Sequence, residues 1–246
     1  MADSDSLQLH LSSKNATSYN NNLTSDCNFI LPMIEVPSQH YLYMSVIHAV
    51  IPYSFYQIDK SNNILSYTIN SITLQVLIEP GNYNARQLSL YLTNNMTGFT
   101  ITYNSIYNKF TFTHISTDFI FNVGSTCFGL LGISAVNLNS VSNQLISYQS
   151  IDLMPHKCLC VSSNLVTSSF NLSSQSELGV LISLPITSAP YSMITYRGDM
   201  SHQQCLYKNS FSSIHLRLTD QHGKSLDLNN IHWAITLQLN VIKFVE

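Results

Sequence analysis

The run Ser213-Ile214-His215-Leu216-Arg217-Leu218-Thr219, and after it Trp233-Ala234-Ile235-Thr236-Leu237-Gln238-Leu239-Asn240-Val241, alternates apolar and polar residues with period two. Successive side chains of a strand point to opposite faces, so this pattern marks strands with one buried and one wetted side. Between the two runs, Asp220-Gln221-His222-Gly223 has the residue types of a tight reversal, with Asp opening it and Gly taking a left-handed backbone. The alternation recurs upstream at Ile72, Leu74, Val76 and Ile78, at Phe99, Ile101 and Tyr103, and at Phe110 and Phe112. Residues 29–36, 42–51 and 180–184 are apolar on both phases and are predicted as central strands covered on two sides.

Helix is scarce. Asn84 is followed three residues later by Gln87, the spacing of a reciprocal cap, and Tyr83 ahead of the cap can pack on Leu88. Leu88, Tyr91, Leu92 and Met96 then share one face, which predicts an amphipathic helix of about three turns. A shorter helix is expected over 125–131, ended by Gly132. About ten short strands with few helices define an antiparallel all-β sandwich or barrel.

Residues 1–27 are rich in Ser, Asn, Asp and Thr around a short alternating piece at Leu7, Leu9 and Leu11, the composition of a flexible arm. With no repeat, linker or composition change beyond it, 28–246 is expected to be one domain, with long loops in 134–178.

The chain has 246 residues, 45% of them hydrophobic, enough for a sizeable core, yet only 9% are Asp, Glu, Lys or Arg. The 10 basic and 13 acidic residues form no block. Phosphate neutralisation needs clustered Lys and Arg, so no nucleic-acid partner is expected. A surface of neutral hydrogen-bonding groups suits extensive packing against other protein, where desolvating charge is costly. The apolar run from Tyr41 to Phe55 is interrupted by Ser45, His48 and Pro52 and is too short to span a bilayer. The start Met1-Ala2-Asp3-Ser4-Asp5-Ser6 has no signal-peptide pattern, so synthesis in the cytoplasm and unglycosylated sequons at Asn15, Asn22, Asn95 and Asn171 are expected.

No catalytic set is legible. The residue spacings of a hydrolase elbow, a phosphate loop, a dinucleotide fingerprint or an HExxH helix do not occur, and neither Thr167-Ser168-Ser169 nor Ser173-Ser174 is framed by glycine. His156-x-Cys158-x-Cys160 is the one cluster with metal-ligating residues, but no second pair follows at zinc spacing. Cys27, Cys127, Cys158, Cys160 and Cys205 read as free, mostly buried thiols. His48 lies mid-strand, where a histidine is commonly a satisfied core residue; His114, His215 and His232 fall at strand ends or on polar faces. The aromatic cluster Tyr53, Phe55 and Tyr56 is assigned to packing. No catalytic residue, cofactor, metal or small-molecule substrate is expected.

Three stretches carry a resemblance. These are Ile51-Pro52-Tyr53-Ser54-Phe55-Tyr56-Gln57-Ile58 with Asn62-Asn63; Ile78-Glu79-Pro80-Gly81-Asn82-Tyr83-Asn84 running into Leu88 and Leu92; and Leu216-Arg217-Leu218-Thr219-Asp220 with Gly223, Leu226-Asp227-Leu228-Asn229 and Trp233. In order and spacing the chain resembles the penton or minor capsid proteins of virophages, Polinton/Maverick elements and adinto-type viruses. The resemblance implies a single jelly roll standing at the fivefold vertices of an icosahedral capsid, as a homopentamer surrounded by double-jelly-roll major capsid proteins. The alternative is a carbohydrate-binding, lectin-like jelly roll, which would need exposed aromatic residues on one surface, whereas Trp233 is in phase with core positions; a cupin-type enzyme would want a His-x-His pair, and the sequence has none.

Overall fold

The computed structural model describes residues 6–37, 39–166, 178–198 and 202–243. Along the chain these form β1 (Ser6–Ser12), β2 (Ser18–Tyr19), β3 (Asp26–Glu35), β4 (His40–Pro52), β5 (Ile64–Ile69), β6 (Ile72–Leu77) and α1 (Ala85–Asn95). There follow β7 (Phe99–Asn104), β8 (Lys109–His114), β9 (Phe119–Phe121), α2 (Phe128–Leu131), β10 (Leu138–Asn139) and β11 (Gln144–Ile146). The last are β12 (Cys158–Ser163), β13 (Gly179–Pro185), β14 (Met193–Arg197), β15 (Gln204–Cys205), β16 (Ser210–Asp220) and β17 (Ala234–Lys243). They gather into two compact units, Met1–Phe55 with His156–Glu246, and Tyr56–Pro155.

The first unit is two antiparallel sheets. One has the order β1-β17-β4-β14, with β15 also on β4; the other has the order β13-β12-β16-β3-β2. Setting aside the two-residue strands β2 and β15, eight strands remain, and numbered along the chain they run 1-8-3-6 in one sheet and 5-4-7-2 in the other. That order, with sequence neighbours repeatedly placed in opposite sheets, is the jelly roll. The alternation read in the sequence supplies its core: Ile235, Leu237 and Leu239 from β17 belong to the same buried cluster as Ile214, Leu216 and Leu218 from β16. Residues 56–155 are inserted between the third and fourth of the eight strands.

Several expectations meet a different structure. Leu7, Leu9 and Leu11, read within an arm, lie on β1, which pairs with β17 from Ser6 opposite Asn240 to Ser12 opposite Ala234. The polar composition of 1–27 hides this strand because it is an edge and only Leu11 is fully buried. Two compact units stand where one domain was expected. Of the three runs predicted to be central, β4 is flanked on both sides, but β13 is an edge strand and β3 is covered on its outer side where β2 pairs with Cys27 and Asn28 and where the Thr17 hydroxyl accepts from the Ile30 N–H. The reversal at Asp220 forms as read: Gly223 has φ of 81° and donates its N–H to the Asp220 carbonyl. The chain then runs back beside β16 only as far as Leu226, and β17 joins the opposite sheet. Residues 1–5 and 167–177, with Thr167-Ser168-Ser169, Asn171 and Ser173-Ser174, lie outside the described residues.

The second unit carries the sheets β10-β9-β5-β6 and β11-β8-β7. Its core is aromatic: Phe99 meets Tyr67 and Phe119 edge-on at 5.4 and 4.8 Å, and Phe112 meets Phe121 at 4.8 Å. Helix α1 begins at the cap read from the sequence, with Asn84 accepting from the Gln87 N–H and the Gln87 side chain accepting from the Asn84 N–H. Leu88, Leu92 and Met96 are buried, and Tyr83, packed against the cluster that holds Leu88, also meets the Tyr91 ring at 5.7 Å. Helix α2 ends at Gly132, whose φ of 64° and proximity to the Gln149 carbonyl exclude a side chain. The substitution Asn84→Ala is expected to cost about 1 kcal/mol by orphaning the cap donors, measured as a fall in the urea midpoint.

Candidate interaction surface

The polar residues of β16 that alternate with its core positions meet a buried carboxylate on β3. Asp26 is opposite Arg217 in the ladder, and His215 is opposite Asn28. Asp26 is buried, His215 Nε2 lies 2.5 Å from its Oδ1, Asn20 Nδ2 donates to the same oxygen at 2.8 Å, and Arg217 Nε is 3.4 Å from Oδ2. Burial alone raises the Asp26 pKa; the hydrogen bonds of His215 and Asn20, with the charges of His215 and Arg217, outweigh it and hold the carboxyl below the ordinary 3.8. A second pair sits at the end of β16. Burial again raises the Asp220 pKa, and His156, 3.5 Å away, together with the N–H groups of Lys224 and His222, brings it below 3.8.

The first cluster ties β3 to β16 and to Asn20, and the second ties the end of β16 to His156. Both carboxylates are buried within a packed sandwich, and a compensated buried charge is costly to disturb. Their folded pKa values lie below the unfolded one, so they contribute stability that is fully present above about 3.8 and lost as the pH falls below it. Urea midpoints are therefore expected to drop between about pH 6 and about pH 3, and Asp26→Asn with Asp220→Asn should be less stable at the higher pH and flatter across the range.

The sequence candidates fall as follows. Among the described residues no group of three His, Cys, Asp or Glu is placed to hold a metal, and His156 turns to Asp220 while Cys160 contacts Ser183. Burial pushes the Cys27 and Cys127 thiols up to about 12, which makes them inert near neutrality. His48 is not a core residue; it is half-buried on the outer phase of β4, level with Thr236 and Arg197. His114 bonds Thr117, and His232 bonds Ser13. Tyr53 and Phe55 are buried and stacked at 4.5 Å, the packing role read from the sequence. Trp233 is buried, with its Nε1–H on the Thr24 carbonyl, so no indole face is open to a sugar ring.

What the sequence does not reveal is the surface. Leu7, Ile30, Met33, Tyr41, Met193 and Ile242 of the first unit are exposed, most of them on or beside open sheet edges. In the second unit β6 is an open edge of six residues, Ile72–Leu77, five of them exposed and none charged. Isolated exposed apolar residues are ordinary, but apolar open edges are points where other chains add. The signal in the sequence was the shortage of charge; its position depended on strand order.

No protein-family model matches this chain, and no curated protein matches it. Among solved structures it is similar to the mavirus penton protein, from a crystal structure of the selenomethionine-labelled protein, at 13% identity over 97% of this chain and 99% of that one, with a TM-score of 0.55. It is also similar to a chain in the 3.5 Å cryo-EM structure of the Sputnik virophage, at 14% identity over 98% of each chain, with a TM-score of 0.44. At such identity the first likeness is one of fold, and it extends over nearly the whole chain, the jelly-roll unit and the inserted residues alike.

Proposed function

We propose that the chain is a structural protein of a virion, a minor capsid or penton protein that forms homopentamers at the fivefold vertices of an icosahedral capsid and contacts a double-jelly-roll major capsid protein. One observation carries the reading: the first unit has jelly-roll order with 56–155 inserted between its third and fourth strands, and the likeness to the mavirus penton protein runs through both units, over 97% of the chain. The shortage of charge supports it, because many copies in contact must desolvate their surfaces. The role is not enzymatic. No helix among the described residues is long and apolar enough to cross a membrane, in keeping with a shell component. The carbohydrate-binding alternative loses its aromatic platform at Trp233.

Co-expression with the major capsid protein of the same virus tests the proposal. Cryo-EM of the particles should show the jelly-roll unit at the fivefold vertices. Particles that close without the chain at those positions would refute it.

A further inference from the structure

We propose that the two flanks of the first unit are the two halves of one head-to-tail contact between copies of this chain: the β1/β3 side of one copy meets the β14/β13 side of the next. The inference rests on the pentamer reading and adds the surfaces that close the ring. A cyclic assembly repeats one heterologous contact, so each subunit needs two different, complementary patches on opposite sides.

The strand order supplies two such sides. In each four-stranded sheet the edge strands are consecutive in sequence with an edge strand of the other sheet. Residues 13–25 carry the chain from edge β1 to edge β3, and residues 186–192 carry it from edge β13 to edge β14. Each connection crosses from sheet to sheet, so β1 and β3 border one flank and β13 and β14 the other. On both flanks the core is incompletely closed. Leu9, Leu31 and Ile34 on one side, and Ile182 and Tyr196 on the other, are only partly buried while packed against it. Beside them Leu7 is 46%, Met33 67% and Met193 55% exposed. Apart from the buried Asp26, the four edge strands carry one carboxylate, Glu35, and one guanidinium, Arg197.

Strand direction decides that the two flanks fit each other. All neighbours are antiparallel, so across four strands the two edges of a sheet run in opposite senses. Rotation about an axis along the strands preserves direction. It therefore brings β1 beside the next copy's β14, and β3 beside its β13, as antiparallel neighbours, the arrangement in which strand edges pair. Height agrees as well: Ser12, Ala234, Val50 and Thr195 lie in one row across the sheet, and His10, Thr236, His48 and Arg197 in another. The last three residues of β1 are thus level with β14, while Ser6 and Leu7 are level with Cys205 and Gln204 of β15, which continues that edge along β4.

The test uses the full chain in sedimentation velocity. Leu7→Arg with Met33→Arg blocks the first flank, and Ser183→Arg with Met193→Arg blocks the second. Each variant alone should sediment as a monomer where the wild type forms a ring. An equimolar mixture should give dimers and nothing larger, since one intact contact remains between the two kinds of chain. The emission maximum of the single tryptophan, Trp233, without denaturant should be unchanged for each, separating lost contact from lost fold. A ring that survives either pair of substitutions overturns the inference and leaves the pentamer reading standing. A wild type that forms no ring sinks that reading itself, and the inference with it.

Discussion

Deleting residues 1–12 should lower stability by about 3–5 kcal/mol, a large share of the roughly 5–15 kcal/mol that a domain holds. The segment contains β1, whose seven residues pair along β17 and put Leu11 fully, and Leu9 partly, into the core. Burying one leucine side chain is worth about 1.5–3 kcal/mol. Its removal also strips β17 of a neighbour, turning the central strand that carries Leu237 and Leu239 into an edge. Urea denaturation followed by Trp233 fluorescence reads the unit directly, because the chain has one tryptophan. A free arm would be dispensable, and an unchanged midpoint would return 1–12 to that role.

The substitution Trp233→Ala is expected to cost as much, about 3–5 kcal/mol for a fully buried aromatic ring. Trp233 is 2% exposed and meets Phe29 edge-on at 6.4 Å. Its indole N–H reaches the Thr24 carbonyl at 2.7 Å, and its backbone exchanges hydrogen bonds with Ser13 through the Ser13 N–H and the Ser13 hydroxyl. One residue thus joins the connection between β1 and β3 to the start of β17. Truncation leaves a cavity and strips the Thr24 carbonyl of its indole donor, leaving it the weaker Cys27 thiol alone, and each adds to the loss. Trp233→Phe, which keeps most of the volume but not the donor, should fall between wild type and alanine. Circular dichroism in urea measures all three. A loss below about 1 kcal/mol for the alanine variant would contradict the packing described.

The elements that were legible in sequence are those whose pattern is local. Period-two alternation marked β7, β8, β16 and β17, and the Asn84–Gln87 spacing fixed the start of α1 because a cap depends on four neighbouring residues. What failed was long-range. An edge strand buries one face incompletely, so β1 looked like an arm, and apolar β13 looked central although its outer side is unpaired. The division at Phe55 and His156 leaves no composition change, since both units are sandwiches built from the same residue types. The Asp26 cluster was equally hidden: Asn20, Asp26, His215 and Arg217 come together through the register of β3 on β16 and the turn before it, and no spacing along the chain encodes that.

Where the chain would meet other protein was not legible in the sequence, although its composition points to such contact. Shortage of charge is a bulk property, read directly from composition, and points to burial of surface against protein. Which surface is buried follows from the order 1-8-3-6 and 5-4-7-2, which sets two apolar flanks on opposite sides of one sandwich.

The account stands most directly on the mass of the purified full-length chain in solution, measured by native mass spectrometry over a range of concentrations. A closed species at five times 27.6 kDa is expected, with no ladder of even-numbered oligomers. A chain that remains at 27.6 kDa throughout, or that stops at a twofold dimer, would contradict it.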